Sequence, residues 1–365
     1  MIGKTLYRYI AWHSFKAIAI TFLVIIGIIM LIDFVEGSRN LDSDTQISAL
    51  NLLYLTFLKA PKLIEQTLPF VVLFGIMGAL YGMNRRSELI VIRAAGLSAW
   101  KFLRPILFVT ISLGVLWSGL INPLSSKMSD QHDKLVGTWV PPSQNTTEQQ
   151  IWLRGGNQDQ QTVIFAKDIN LNDKKIFSAT FYIMDIEADQ TTRFQRRFDA
   201  QSATLSPQGF WQLHNAIENT PRKSPITHEI LSLPTSITLD TLSKQANKIS
   251  NPSFWNIPKE IAENEAAGYS SRQLRLQFHK LLALPITLMA MTFIAAAVSM
   301  HLSREGGTIR LLITGATLGF FVYFADNIIS AFGGSAAIPV LLAAWAIPLF
   351  TLFFGMSYLT RIEDG

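Results

Sequence analysis

The chain has 365 residues, of which 16% are charged and 49% hydrophobic, with 24 Phe, 8 Trp and no Cys; its mean hydropathy is +0.28. A soluble domain carries about 25% charge, so an ordinary soluble enzyme is disfavoured, and the lack of Cys excludes a disulfide scaffold, a thiolate metal site and a cysteine nucleophile. A formal charge of +5 and a pI near 9.3 would suit a nucleic-acid binder, unless the basic residues have another explanation.

In chain order, the charge-free runs can be compared with the roughly 20 residues that cross about 30 Å of hydrocarbon. The first, Ala17 to Ile32, continues through Asp33 to Val35 and follows Lys4, Arg8 and Lys16. No small-residue cleavage site comes after Ile32, so it reads as a retained span rather than a signal peptide. The second, Gln66 to Asn84, carries Gly75, Gly78 and Gly82 on one helical face, where small residues let a neighbouring helix approach. The third is Pro105 to Ser126.

Residues 123–270 then have ordinary polar composition. Short apolar stretches at Thr162 to Ala166, Phe177 to Ile186, Gln201 to Leu205, Gly209 to Leu213 and Thr235 to Leu239 are punctuated by Pro207-Gln208-Gly209, Pro221, Pro225 and Pro234. Trp211 and Leu213 alternate with Gln212 and His214, as do Ile237 and Leu239 with Ser236 and Thr238. This is the pattern of an all-β sandwich or jellyroll-like domain. Pro258 to Gly268 reads as a short helix in the connection.

An amphipathic approach, Ser271 to Lys280, leads into a fourth run, Leu281 to Ser303, with Pro285 as a potential kink. Leu311 to Ala325 and Asn327 to Thr360 follow, the latter divided by Gly333-Gly334-Ser335. The fold expected is a membrane protein of six transmembrane helices, three (1–122) and three (271–365), with an all-β, jellyroll-like domain inserted at 123–270.

The basic residues sort by topology. Lys4, Arg8, Lys16, Arg85, Arg86, Arg93, Lys101, Arg104, Arg304, Arg310 and Arg361 share one side with only Glu88, Glu305, Glu363 and Asp364. That excess marks the cytoplasmic side and puts the β domain opposite. The basic balance therefore lends no support to nucleic-acid binding.

Motifs for chemistry are absent. Gly3-Lys4-Thr5 has no glycine five residues upstream to begin a phosphate-binding loop, and Arg304-Glu305-Gly306-Gly307 reads as a turn. The six His are scattered, and neither a Ser/His/Asp set nor a carboxylate pair stands out. The chain is read as a non-enzyme without a cofactor or metal, dependent on a partner for any nucleotide hydrolysis.

Arg85 to Ser98 is more informative. Ser87 as N-cap, Glu88 in the first turn and Gly96 just beyond the end bound a helix over about 87–96. Too short to span and too apolar for open water, it either rests on the lipid surface or docks in a cleft of a cytoplasmic partner. In the docking reading Glu88 is the polar anchor, accompanied by Arg86, Leu89, Ile92 and Arg93. Asp326, next to Phe320-Phe321-Val322-Tyr323-Phe324-Ala325, either faces protein or a wet cavity or snorkels to the interface. Asp33, Glu36 and Arg39 close the first span under the same alternatives. Val24, Ile28, Ile32, Phe320, Phe321 and Phe324 either line an apolar cavity or pack against lipid and neighbouring helices.

Three spans, a β domain and three spans, with Arg86-Ser87-Glu88-Leu89 to Ala95-Gly96 between spans two and three, resemble the lipopolysaccharide-export permeases of the LptF/LptG (YjgP/YjgQ) family. Asp33-Phe34-Val35-Glu36 and Tyr323-Phe324-Ala325-Asp326-Asn327 are more similar to the LptG branch. The resemblance implies an inner-membrane ABC-transporter permease of a Gram-negative bacterium, paired with an LptF-type subunit and driven by an LptB-type ATPase dimer. In that family spans one, two and five enclose a lipopolysaccharide cavity, and the lipid passes to the jellyroll, an LptC-type protein and a periplasmic bridge. Carried over, Glu88 makes the coupling contact and Arg39 meets substrate phosphates. LptG relatives can carry Lys where this chain has Asp33, which puts a phosphate contact there in question, with Arg39, Lys59 or Lys62 as compensating cations. A permease for another lipid or a lipoprotein, and a membrane-anchored β-domain scaffold, are the competing functions.

Overall fold

The computed structural model describes residues 3–39, 48–139, 151–156, 160–170, 175–186, 192–206, 209–221, 223–235, 252–266, 270–302 and 308–364. In chain order these form α1 (Lys4–Arg39), α2 (Ala49–Arg85), α3 (Glu88–Ala94), α4 (Ala99–Leu116), a π-helical turn (Trp117–Ile121) and α5 (Asn122–Trp139). Six strands follow, β1 (Ile151–Gly156), β2 (Gln160–Asn170), β3 (Lys175–Ile186), β4 (Thr192–Ser206), β5 (Phe210–Asn219) and β6 (Ile226–Pro234). The chain closes with α6 (Ile257–Ala266), α7 (Arg272–Leu302), α8 (Thr308–Gly334) and α9 (Val340–Asp364). Six helical stretches, α1, α2, α4 through α5, α7, α8 and α9, are long and apolar enough to cross a membrane. The β domain lies between the third and the fourth, so the expected fold class holds.

By packing, the chain divides into two units: Met1–Trp139 with Asn251–Ile261 and Ser271–Gly365, and Val140–Ser250 with Ala262–Ser270. The first boundary thus falls after Trp139 rather than at 122. The third span does not stop where its apolar run ends but continues as the polar helix α5. Residues 236–239, read as part of a strand, and the turn at 303–307 lie outside the described residues.

In the helical unit α2 and α7 form the centre. Leu68, Val71, Val72, Leu73, Ile76, Met77 and Leu80 of α2 are buried with Leu288, Met291, Phe293 and Ile294 of α7 in one apolar cluster. Close approach depends on missing side chains. A Cβ on Gly114 of α4 would stand 2.6 Å from Pro285 Cα of α7, and one on Gly75 of α2 would stand 2.8 Å from Ile18 Cα of α1. Gly82 also faces α1, near His13 Nε2, but Gly78 meets open space. The expected three-glycine contact face is therefore a pair. Seven residues bring a helix almost back to the same azimuth, whereas three leave it about 60° away. Prolines 61, 69, 105, 285 and 348 sit inside helices without ending them, as neighbouring helices permit in a membrane bundle.

The β unit is one antiparallel sheet in the order β1-β2-β3-β4-β5-β6. A column of irregular positions crosses it. The β3–β4 ladder passes from Phe177↔Ser202 to Ala179↔Ala200 and the β4–β5 ladder from Ala200↔Ala216 to Ser202↔His214, each skipping one opposed pair without changing register; the register of β3–β4 shifts only between Ile183 and Met184. Ser178 and Asn215 there take left-handed φ of 48° and 49°, and the Asn215 amide donates to Gln201 Oε1 at 2.9 Å. Buried residues change parity at this column, from Ile176 to Ala179 and Phe181 in β3, and from Leu213 to Ala216 in β5. The stretches on both sides of the column contribute to a single core containing Leu153, Phe181, Phe198, Trp211 and Leu213.

Candidate functional site

The short helix α3 forms where it was expected, with different end chemistry at its start. Ser87 occupies the N-cap position in a left-handed conformation, φ 58°, without a side-chain capping bond. The other end is built as expected: Gly96 has φ +79°, its N–H reaches Arg93 O at 2.9 Å, and the Leu97 N–H reaches Ile92 O at 3.4 Å. This paired closure satisfies the last carbonyls and needs a residue tolerant of positive φ.

Facing separates the candidate docking residues. Leu89 and Ile92 are 7% and 9% exposed and belong to the bundle core, whereas Ile90 and Val91 are 61% and 65% exposed. Leu89 and Ile92 are thus corrected from contact residues to the helix's own anchors, because positions three apart fall on one side of a helix and that side meets the bundle. Arg86 is exposed, 4.0 Å from Glu88. The Glu88 carboxylate accepts a hydrogen bond from the Tyr9 hydroxyl of α1 at 2.9 Å, and Arg93 donates to Met300 Sδ at 3.8 Å. The exposure of Ile90 and Val91 was not legible because Leu89-Ile90-Val91-Ile92 is uniformly apolar and carries no periodic signal of which side faces inward, and the Tyr9 contact was not because it joins residues 79 apart.

The apolar candidates of spans one and five share one property. Ile28 and Ile32 on α1, and Phe320, Phe321 and Phe324 on α8, are all exposed in this chain; Phe320 and Phe324 stack at 5.6 Å. Only 6% of the most apolar stretch of α1 and 11% of that of α8 are buried, against 72% for α7. At the end of α1, Asp33 pairs with Lys59 of α2 at 2.5 Å, while Glu36 and Arg39 are exposed. Lys59, one of the three cations considered, is thus the partner of Asp33.

Asp326 points inward rather than along α8. Its carboxylate is 2.8 Å from Lys280 Nζ of α7, which also donates to Ser330 Oγ at 2.9 Å. Both residues line a cavity of about 780 Å³ between α2, α7, α8 and α9, together with Lys62, Glu65, Gln273 and Gln277. Of the two readings of Asp326, the structure selects the cavity, with Lys280 as its counter-ion. Asp326 is thereby separated from Phe320, Phe321 and Phe324, which lie on the exposed side of the helix.

A second polar group was not anticipated. Glu65 of α2 accepts from Trp117 Nε1 at 3.2 Å and Asn122 Nδ2 at 2.9 Å. Asn122 Oδ1 accepts the Phe254 N–H at 2.8 Å, and the Trp255 indole donates to Gly119 O at 2.9 Å. These bonds cluster at the π-helical turn, which displaces the regular hydrogen-bond ladder. The chain entering α6 is thereby attached to span three.

The family model described as lipopolysaccharide export system permease LptF/LptG matches residues 8–361. The chain is 23% identical over 366 residues to the lipopolysaccharide export system permease protein LptG of Haemophilus influenzae, covering 99% of both chains. It is 21% identical over 349 residues to the protein of the same name from Escherichia coli K12, covering 92% of each. With six apolar helices, an inserted β domain and a match over nearly its whole length, the chain belongs to the LptF/LptG family of lipopolysaccharide export permeases.

Proposed function

We propose that this multi-pass inner-membrane protein is the LptG-type permease subunit of an ABC transporter in a Gram-negative bacterium. It extracts lipopolysaccharide from the outer leaflet and passes it by way of its β domain to an LptC-type protein and a periplasmic bridge. An LptF-type permease is its heterodimer partner, and an LptB-type ATPase dimer supplies the energy. Both termini and α3 are cytoplasmic in this reading, because eleven Lys and Arg against four acids gather on that side, and the β domain is periplasmic.

The observation that carries the reading is the bareness of α1 and α8. Few residues in the apolar stretches of these two spans are fully buried, Ile28, Ile32, Phe320, Phe321 and Phe324 are exposed, and each buried CH₂ is worth about 0.8 kcal/mol. A lipid with several acyl chains resists extraction by tens of kcal/mol on that scale unless an apolar surface receives it. Ile28, Ile32, Phe320, Phe321 and Phe324 supply such a surface when a second permease closes the opposite wall. Arg39 and Lys59 stand at the α1 end for phosphates, with Asp33 and Glu36 tempering their charge. Asp326 supports the wall from behind through Lys280.

On the cytoplasmic side, Ile90 and Val91 enter the ATPase cleft, flanked by Glu88, Arg86 and Arg93. Purification from native membranes should bring an ATPase and a second permease, with lipopolysaccharide identified by native mass spectrometry. Another bound lipid would reassign the substrate, and absence of an ATPase would leave the chain an anchor for its β domain. Glu88→Ala should uncouple or detach the ATPase; normal co-purification and export by that variant would refute the coupling role.

A further inference from the structure

We infer that Tyr9 is a positioning residue that relays motion of α3 to the far arm of α1, with the Ile18–Gly75 crossing as the pivot. The inference rests on the reading of α3 as the ATPase-docking element. The Tyr9 hydroxyl donates to Glu88 Oε2 at 2.9 Å, so the first span is tied to the docking helix itself. Beyond that tie, the buried residues of α1 are Ile10, Ser14 and Ile18, spaced by four along one stripe. The stripe ends at a close backbone approach, where a Cβ on Gly75 would stand 2.8 Å from Ile18 Cα. No residue of α1 past Ile18 is fully buried.

This is the geometry of a lever with unequal arms, the short one packed through Ile10 and Ser14 and the long one held only partly, through Phe22, Ile25, Ile26 and Met30 and through the Asp33–Lys59 pair. At 1.5 Å per residue, Tyr9 lies about 14 Å along the axis from Ile18, and Arg39 about 32 Å on the other side. A sideways displacement at Tyr9 is therefore enlarged roughly twofold at the far end. The helix runs unbroken from Lys4 to Arg39 with no proline, so it can carry a bending load. Leu89 and Ile92 hold one edge of α3 in the core while Ile90 and Val91 stay outside. A load on the outer edge tilts α3 about its buried one, and Glu88 at its first turn moves with it. Export of the lipid and hydrolysis of ATP are then linked through a hydroxyl that touches neither.

The test uses the complete transporter, reconstituted with its ATPase and second permease. Because the chain has no Cys, Leu31→Cys on α1 and Leu53→Cys on α2, both exposed, place a unique spin-label pair on this subunit, and pulsed electron resonance reads their separation with and without ATP. In the parent the distance distribution should shift on ATP binding. In Tyr9→Phe the ATPase should stay bound and hydrolyse within about twofold of the parent, the shift should fall to half or less, and lipopolysaccharide release should drop about tenfold, as expected for loss of one hydrogen bond to a charged acceptor. An unchanged shift in Tyr9→Phe would overturn the relay. So would detachment of the ATPase, which would make Tyr9 part of the docking surface. If the parent binds no ATPase or shows no shift, the functional reading falls, and the relay with it.

Discussion

Two ångströms decide the role of several single residues. Gly114 faces the backbone of Pro285 and Gly75 faces the backbone of Ile18, so neither neighbour can yield by a rotamer change. Gly114→Ala and Gly75→Ala should each cost about 1–3 kcal/mol by overpacking, whereas Gly78→Ala, with open space around it, should gain about 0.5–1 kcal/mol from helix propensity. Thermal unfolding of the three variants in one detergent checks the order; a Gly78 variant as damaged as the others would refute the packing assignment. Asp33 makes a second residue-scale case. It neutralises Lys59 across 2.5 Å, so Asp33→Asn should release a cation at the mouth of the proposed lipid surface. Lipopolysaccharide retained on the purified complex should rise a few-fold in Asp33→Asn and fall in Lys59→Ala. That Asp33 puts a carboxylate at the end of span one was legible in the sequence, but its counter-ion was not, since Lys59 lies on another helix and was one of three candidate cations.

At the scale of elements, α3 shows what a sequence discloses about a helix and what it withholds. Its existence and its end at Gly96 follow from local backbone chemistry. Its orientation does not, because four consecutive apolar residues fit any azimuth. Ile90→Asp and Val91→Asp should abolish ATPase co-purification while leaving the chain folded. Leu89→Asp should instead unfold or degrade it, as expected for an unpaired charge forced into a core. Expression level and ATPase pull-down, read together, distinguish these outcomes, and equal behaviour of all three would contradict the facing seen here. The same limit applies to the β domain. Alternation in Trp211 to His214 was visible, but the parity change past Ser178 and Asn215 is a property of pairing across strands. The π-helical turn at Trp117–Ile121 was equally hidden, since the groups that occupy its freed positions, Trp255 and Glu65, are remote in sequence.

For the whole molecule the governing contrast is between a central pair, α2 and α7, and two flanking spans, α1 and α8, left largely bare. Photocrosslinkers at Ile28, Arg39, Phe321 and Phe324 should therefore label lipopolysaccharide or the second permease in whole cells, while one at Ile294, buried in α7, should label neither. Absence of labelling at all four exposed sites would remove the proposed lipid surface. The number of spans, their grouping about an inserted β domain, the position of the short helix α3 and the clustering of positive charge were all present in the sequence. Each depends on composition and on short-range hydrogen bonding, which act along the chain. Which face of each helix is covered, the Lys280 partner of Asp326, the Tyr9 tie to Glu88 and the parity change across the sheet were decided only in the tertiary structure. Those features depend on the azimuth at which helices meet and on residues far apart in the chain, and an apolar run with no periodic polar face carries no information about either.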